Sequence, residues 1–273
     1  MPKVQECLLG YAAEEGPQRV RRVIVRRSKS RRRPGKDATD SGSRIGDVVS
    51  PEDLLGPLSE LERKYAPMSL YVAGRLGRPL QHPRVSIVGT RHPSNDGLDA
   101  TSRISASLAQ RKAIIVSGLA EGIDTAAHRA AIEVGGQTIA VLGTPLTRTY
   151  PAKNSDLQRL IMTEHLAISQ FSEGSPVQRR NFVLRNRTMA LISDATVIVE
   201  SGEAGGSLHQ GWEAIRLGRP LFIRQPVLSD PRLGWPRKMA DYGAIAFEEP
   251  NDILDFVPIG FPAALATDEL SSP

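Results

Sequence analysis

A chain of 273 residues, 40% hydrophobic and 24% charged, can bury one substantial core, and its single cysteine, Cys7, excludes an intrachain disulfide and fits a reducing compartment. No apolar run approaches the ~20 residues that span a bilayer, and Met1 to Glu6 lack the apolar stretch of a secretory signal, so a cytoplasmic protein without membrane attachment is expected. The formal charge is +5, yet residues 1–50 carry 12 Lys+Arg against 6 Asp+Glu while the remainder carries 23 against 24, so basicity belongs to the N-terminal stretch.

Residues 1–50 run through eight arginines from Arg19 to Arg33 into a Gly/Ser/Asp stretch, with only Val20, Val23, Ile24 and Val25 as an apolar patch. They read as a disordered basic arm with salt-dependent attraction to nucleic acid, or as a solvated leader without that role. Residues 51–82 form a short N-terminal segment. Leu54, Leu55, Leu58 and Leu61 recur at helical steps and predict one amphipathic helix over Pro51–Ala66, followed by a strand at Ser69–Gly74. From residue 83 the pattern is regular. Apolar runs predict strands at Val85–Val88, Ala113–Val116, Gln137–Leu142, Ala167–Phe171, Ala195–Val199, Pro220–Ile223 and Ala244–Phe247. Helices are predicted at Leu98–Arg111, Thr125–Val134, Asn154–Met162, Arg180–Ile192 and Ser207–Leu217. This alternation predicts an α/β domain over residues 83–256, a mainly parallel sheet with helices on both faces, and a flexible tail over 257–273.

Sites in such sheets lie beyond the carboxyl ends of the strands. There the sequence places Gly89-Thr90-Arg91, then Ser117-Gly118-Leu119-Ala120-Glu121-Gly122 with Asp124 as the expected cap of the next helix, then Gly143-Thr144-Pro145 leading to Tyr150-Pro151. A fourth, Ser201-Gly202-Glu203-Ala204-Gly205-Gly206-Ser207, opens a further helix. Glycine corners before helices turn backbone N–H groups toward an anion, and several in one sheet suggest a phosphate-lined rim. Ordinary turns, in which glycine only bends the chain, would read the same way. None fits the G-x-G-x-x-G dinucleotide fingerprint, and no cofactor is expected.

Arg179, Arg180, Arg185 and Arg187 surround Phe182, a composition suited to a single strand, with guanidinium groups on phosphates and an aromatic face for a base. A solvated helix start with Phe182 as a core anchor is the plainer alternative; Arg180 and Arg187, a heptad apart, share a face and could pair with acidic neighbours. The five histidines are scattered without metal-ligand spacing, and no nucleophile elbow is present. Glu200 and Glu213 are lone carboxylates of the kind that usually cap or pair. No metal and no enzymatic activity are expected.

Several of these stretches, together with Leu70–Gly74, Ile87–Arg91, Ser117–His128, Thr138–Gly143, Tyr150–Asn154 and Phe182–Arg187, resemble the DNA-processing protein A (DprA/Smf) family from about Tyr65 to Asp255. The resemblance implies an extended Rossmann-like domain that binds single-stranded DNA without base preference, forms a homodimer and helps to load a RecA-type recombinase. It implies a pocket at Gly89, Thr90, Arg91, Ser117, Gly118, Arg179, Phe182, Arg185 and Arg187, beside Gly122, Gly206 and Ser207 from the glycine corners. The chain departs from the family pattern at Gly205–Gly211, which lacks a threonine, and at Val183, where a proline is usual. The family's C-terminal winged-helix domain and full-size N-terminal helical domain are not expected. Arg185 to Met189 with Gly205-Gly206-Ser207 and Glu213 also resemble nucleoside-monophosphate phosphoribohydrolases of the lysine-decarboxylase-like group, but Gly206-Ser207-Leu208-His209 breaks their Gly-Thr pair. A nucleotide-binding sensor is the third reading.

Overall fold

The computed structural model describes residues 46–260; the basic arm up to residue 45 and the tail from residue 261 lie outside them. The strands are β1 (Asp47–Val49), β2 (Leu70–Gly74), β3 (Arg84–Gly89), β4 (Ile114–Ser117), β5 (Thr138–Leu142), β6 (Leu166–Ser169), β7 (Ala195–Glu200), β8 (Leu221–Arg224) and β9 (Ile245–Phe247). They form one sheet in the order β1-β2-β6-β5-β4-β3-β7-β8-β9. From β6 to β9 every pairing is parallel, while β1–β2 and β2–β6 are antiparallel. This is the mixed, mostly parallel α/β sheet of a Rossmann-like fold.

The apolar runs form strands because they are buried on both sides. Val85, Ile87, Ile115, Val197 and Phe222 enter the core on one face; Val88, Ile114, Val116, Ile198 and Ile223 enter the core on the other. Each such fully buried side chain contributes about 1.5–3 kcal/mol relative to exposure. The helices α3 (Asn95–Gln110) and α4 (Ile123–Glu133) cover the first face through Ile104, Leu108, Ala127 and Ala131. On that same side α5 (Ser155–Glu164) lays Leu157 and Ile161 over Ala140, Leu142 and Ala167. The opposite face takes α6 (Arg179–Ile192) and α7 (Gly206–Arg216), through Met189, Leu191 and Leu208. Short helices α8 (Gln225–Leu228), α9 (Trp235–Ala240) and α10 (Asn251–Leu254) complete the chain, and their brevity hid them from periodicity.

At the N-terminus the structure departs from expectation. The single helix predicted over Pro51–Ala66 is two, α1 (Pro51–Leu55) and α2 (Glu60–Tyr65). Gly56 at φ 81° and the following Pro57 end the first, and Ser59 restarts the second with a capping box to Glu62. The last residues assigned to the arm form β1, and the 51–82 segment is not separate: Leu54, Leu58, Leu70 and Leu80 share the core of the main sheet. At the other end, Val257 is buried, the Phe256 ring lies 5.5 Å from that of Phe222, and Gly260 pairs with His82, so the folded unit runs past the boundary expected at 256.

From β3 the chain winds outward through β4, β5 and β6, then returns through α6 to place β7 on the other side of β3. The direction of winding reverses there, which opens a crevice at the carboxyl ends of β3 and β7.

Candidate nucleic-acid interface

Three adjoining hollows, of about 170, 350 and 650 Å³, lie along the carboxyl edge of the parallel sheet, and His92 lines all three. The smallest lies over the end of β4, between Arg91, Gly118, Tyr150 and Phe182. Phe182 and Tyr150 stack there with ring centroids 5.2 Å apart at 54°, and Tyr150 is 49% exposed. Gly143 makes the arrangement possible, because a Cβ at that position would sit 2.6 Å from the Phe182 ring. The middle hollow occupies the β3–β7 crevice, bounded by Gly89-Thr90-Arg91 on one side and by Ser201 to Ser207 on the other. The largest continues past Glu200 to Arg224 and Arg232.

Among the described residues Arg91 makes no ion pair, and its side chain is exposed between the first two hollows. Arg185 behaves differently. It is 6% exposed, and its Nη1 donates to the carbonyls of Gly118 and Val141, the latter at 2.9 Å, while Nε donates to Asn186 Oδ1 at 2.9 Å. Nη2 takes no partner among the described residues, and the side chain lines both smaller hollows.

The corner after β4 is filled from within. Asp124, expected as a helix cap, is the second residue of α4; Gly122 at φ 75° holds the cap position. The Asp124 carboxylate instead accepts from the backbone N–H groups of Gly118 and Ala120 at 3.2 and 3.3 Å, so these loop donors do not face a phosphate as expected. Burial pushes its carboxyl up, against the pull of the facing Arg185 charge and those two N–H groups. The pair forms the floor of the groove. Asn154 braces the same loop by donating to Leu119 O and Thr125 Oγ1, both at 2.9 Å.

Residues 50–258 match the family model described as DNA recombination-mediator protein A. The chain belongs to that family. It is 34% identical over 223 residues to Protein Smf of Synechocystis sp., covering 81% of this chain and 56% of the relative. The chain thus spans about half the length of the curated relatives it matches. The X-ray structure of DNA processing protein A from Streptococcus pneumoniae superposes with a TM-score of 0.67 at 29% identity, covering 79% of this chain and 76% of that one. A Helicobacter pylori DNA processing protein A, whose structure was described for its single-stranded DNA binding mode, has the same fold, with a TM-score of 0.63 at 23% identity over 77% of this chain and 95% of that one.

Of the positions the family resemblance and the glycine corners pointed to, Gly89, Thr90, Arg91, Gly118, Phe182, Arg185, Gly206 and Ser207 line the two smaller hollows. Four lie elsewhere. Ser117 is fully buried and donates to Ile87 O at 2.7 Å, so it fastens β4 to β3. Gly122 is packed against the backbone of Thr90 and Arg91, a close approach only glycine allows at that φ. Arg179 is exposed at the start of α6 and borders none of the three hollows. Arg187 points to the far side of α6, where Nε reaches Glu213 Oε1 at 3.3 Å and the guanidinium lies 5.8 Å from the Tyr65 ring. Glu213 also pairs with Arg216 and lines none of the hollows, and Glu200 caps α3 through Ser94 at 2.7 Å.

His92, Tyr150 and Asn186 also line the hollows without being among the expected site residues, although Tyr150 and Asn186 stand in stretches singled out above; Asn186 donates to Gly206 O at 2.9 Å and ties α6 to the start of α7. Tyr150 carried a usable signal, an aromatic in the loop that leaves a glycine-ended strand. His92 carried none, since only the fold brings it beside three strand ends.

Proposed function

We propose that this member of the recombination-mediator family binds single-stranded DNA without base preference along the carboxyl edge of its sheet. One observation carries the reading: the hollows join into a trough that has an unpaired arginine between its two smaller hollows and an aromatic pair, Tyr150 exposed and Phe182 half-buried, at one end. The unpaired Arg91 takes a phosphate through its guanidinium fork, and the Tyr150–Phe182 pair offers a face to a base of any identity. Loading of a RecA-type recombinase, homodimer formation and a cytoplasmic location are further parts of the proposal and rest on family membership. So does the absence of catalysis. Glu213, the carboxylate a phosphoribohydrolase would need, is bound to Arg187 and Arg216 on the far side of α6, and Asp124 is the lone carboxylate lining the middle hollow.

The test is a competition titration of the protein with single-stranded oligothymidylate, a duplex of equal length and free nucleotides. Preference for the single strand over the duplex supports the reading; equal affinity for both removes it. Incubation with AMP and detection of released base checks the enzymatic alternative, and turnover lost in Glu213→Gln would establish it.

A further inference from the structure

The middle hollow differs from the two that flank it. The buried Val88, Asn186 and Met189 are part of its lining. One side is the start of α7, whose N-cap Gly205 offers no side-chain acceptor and whose first turn holds no acidic residue. The backbone N–H groups at that end therefore face the hollow with the positive end of the helix dipole behind them. Independently, Arg185 is more than nine-tenths buried and borders the same space with an Nη2 that no described residue occupies. Thr90 and the unpaired Arg91 border the hollow on the β3 side. A volume of about 350 Å³ exceeds what one phosphate group needs and falls in the range of small-ligand sites.

We propose that this hollow binds a nucleotide phosphomonoester, either the phosphorylated end of the strand lying in the trough or a free mononucleotide. The proposal deepens the single-stranded DNA reading and, for the strand end, rests on it. An internal phosphodiester carries one charge and only two free oxygens. A terminal phosphate carries nearly two charges and three acceptor oxygens, and it uses more of a donor set that stands on two sides of the space. Asp124 does not oppose it, because its carboxylate is turned to the loop N–H groups and faced by Arg185.

The experiment is a fluorescence anisotropy competition with oligothymidylates of one length bearing a 5′-phosphate, a 3′-phosphate or hydroxyl ends, with TMP and thymidine as separate competitors. A phosphorylated oligomer is expected to bind about tenfold more tightly than the hydroxyl-ended one, the effect of one charge-assisted hydrogen bond. Arg185 is too buried for a clean variant, so Gly206 carries the test. A Cβ at Gly206 meets only Asn186 Nδ2, at 3.6 Å, and an acidic residue in the first turn suits the helix, so Gly206→Asp is expected to fold. Its carboxylate repels a second anion and brings the ratio of affinities to about one at an unchanged thermal midpoint. Equal affinity of all oligomers, with TMP no better than thymidine, overturns the proposal, and so does a phosphate preference that survives Gly206→Asp. If TMP binds and no oligomer does, the phosphomonoester site stands with the free nucleotide as its source, and the DNA reading alone fails.

Discussion

Phe182 and Arg185 stand three residues apart on one face of α6, and burial separates their roles. Phe182 is half-buried and reaches the trough, so Phe182→Ala should weaken binding of any single strand by about 1–3 kcal/mol, measured by anisotropy on two unrelated sequences. Arg91 is exposed and unpaired; Arg91→Ala should leave the thermal midpoint unchanged and reduce the salt slope of binding by about one. Gly118→Ala should act otherwise, since a Cβ there collides with the Arg185 guanidinium and frees a buried cation from its two carbonyls. Both the thermal midpoint and the affinity are expected to fall. Residue type announced these chemistries, but not direction. Arg187 follows Arg185 by two positions, which on a helix turns it about 200° away and onto Glu213. The heptad spacing of Arg180 and Arg187 held that information, whereas the turning of Asp124 onto its own loop had no signature, because a helix cap and an Asp at the second helical position look alike in letters.

At the scale of elements, the strands from β3 onward and their five longer helices were legible, since short β-branched runs alternating with amphipathic stretches have few other solutions. β1 was not: three residues beginning with Asp47, with Val48 exposed, carry no apolar alternation. The break between α1 and α2 was written in Gly56-Pro57 and Ser59, and the leucine periodicity ran across it. Helix α4 yields a pH prediction. Burial lowers the His128 imidazole from 6.5 to about 3, with its Nδ1 2.7 Å from Thr138 Oγ1. A group whose folded pKa is depressed contributes stability that is full above its unfolded value and is lost as pH falls toward the folded one. The thermal midpoint should therefore drop between pH 6.5 and about 3, and His128→Gln should flatten that slope. An unchanged slope in the variant would place the acid sensitivity elsewhere.

Across the whole molecule the two edges of the sheet divide the work. The amino edge is fastened by Asp194, which accepts from Arg84 Nη2 at 2.9 Å and Arg84 N at 2.7 Å, pairs with Arg219, and lies 2.7 Å from His82 Nδ1. Burial alone would raise this carboxyl, but the hydrogen bond from His82 and the charge of Arg84 outweigh it and hold it below 3.8. Removing the charge strands a buried arginine, so Asp194→Asn should cost about 3–5 kcal/mol in denaturant unfolding. Its DNA affinity, measured while folded, should match the parent, because the cluster sits at the start of β7 and the trough at its end. The fold class and the edge that carries the site could be read from order and composition alone, since parallel sheets place their loops by topology. The joining of three hollows could not, as it depends on residues from β3, β7, α6 and the 145–151 loop meeting in space.

The most direct measurement of the central claim is the affinity of wild type, Arg91→Ala and Phe182→Ala for oligothymidylate across a salt series. The trough predicts weakened binding in both variants, with a shallower salt slope for Arg91→Ala and an unchanged slope for Phe182→Ala. Parent-like affinity in both would contradict it and move the DNA to another surface of the protein.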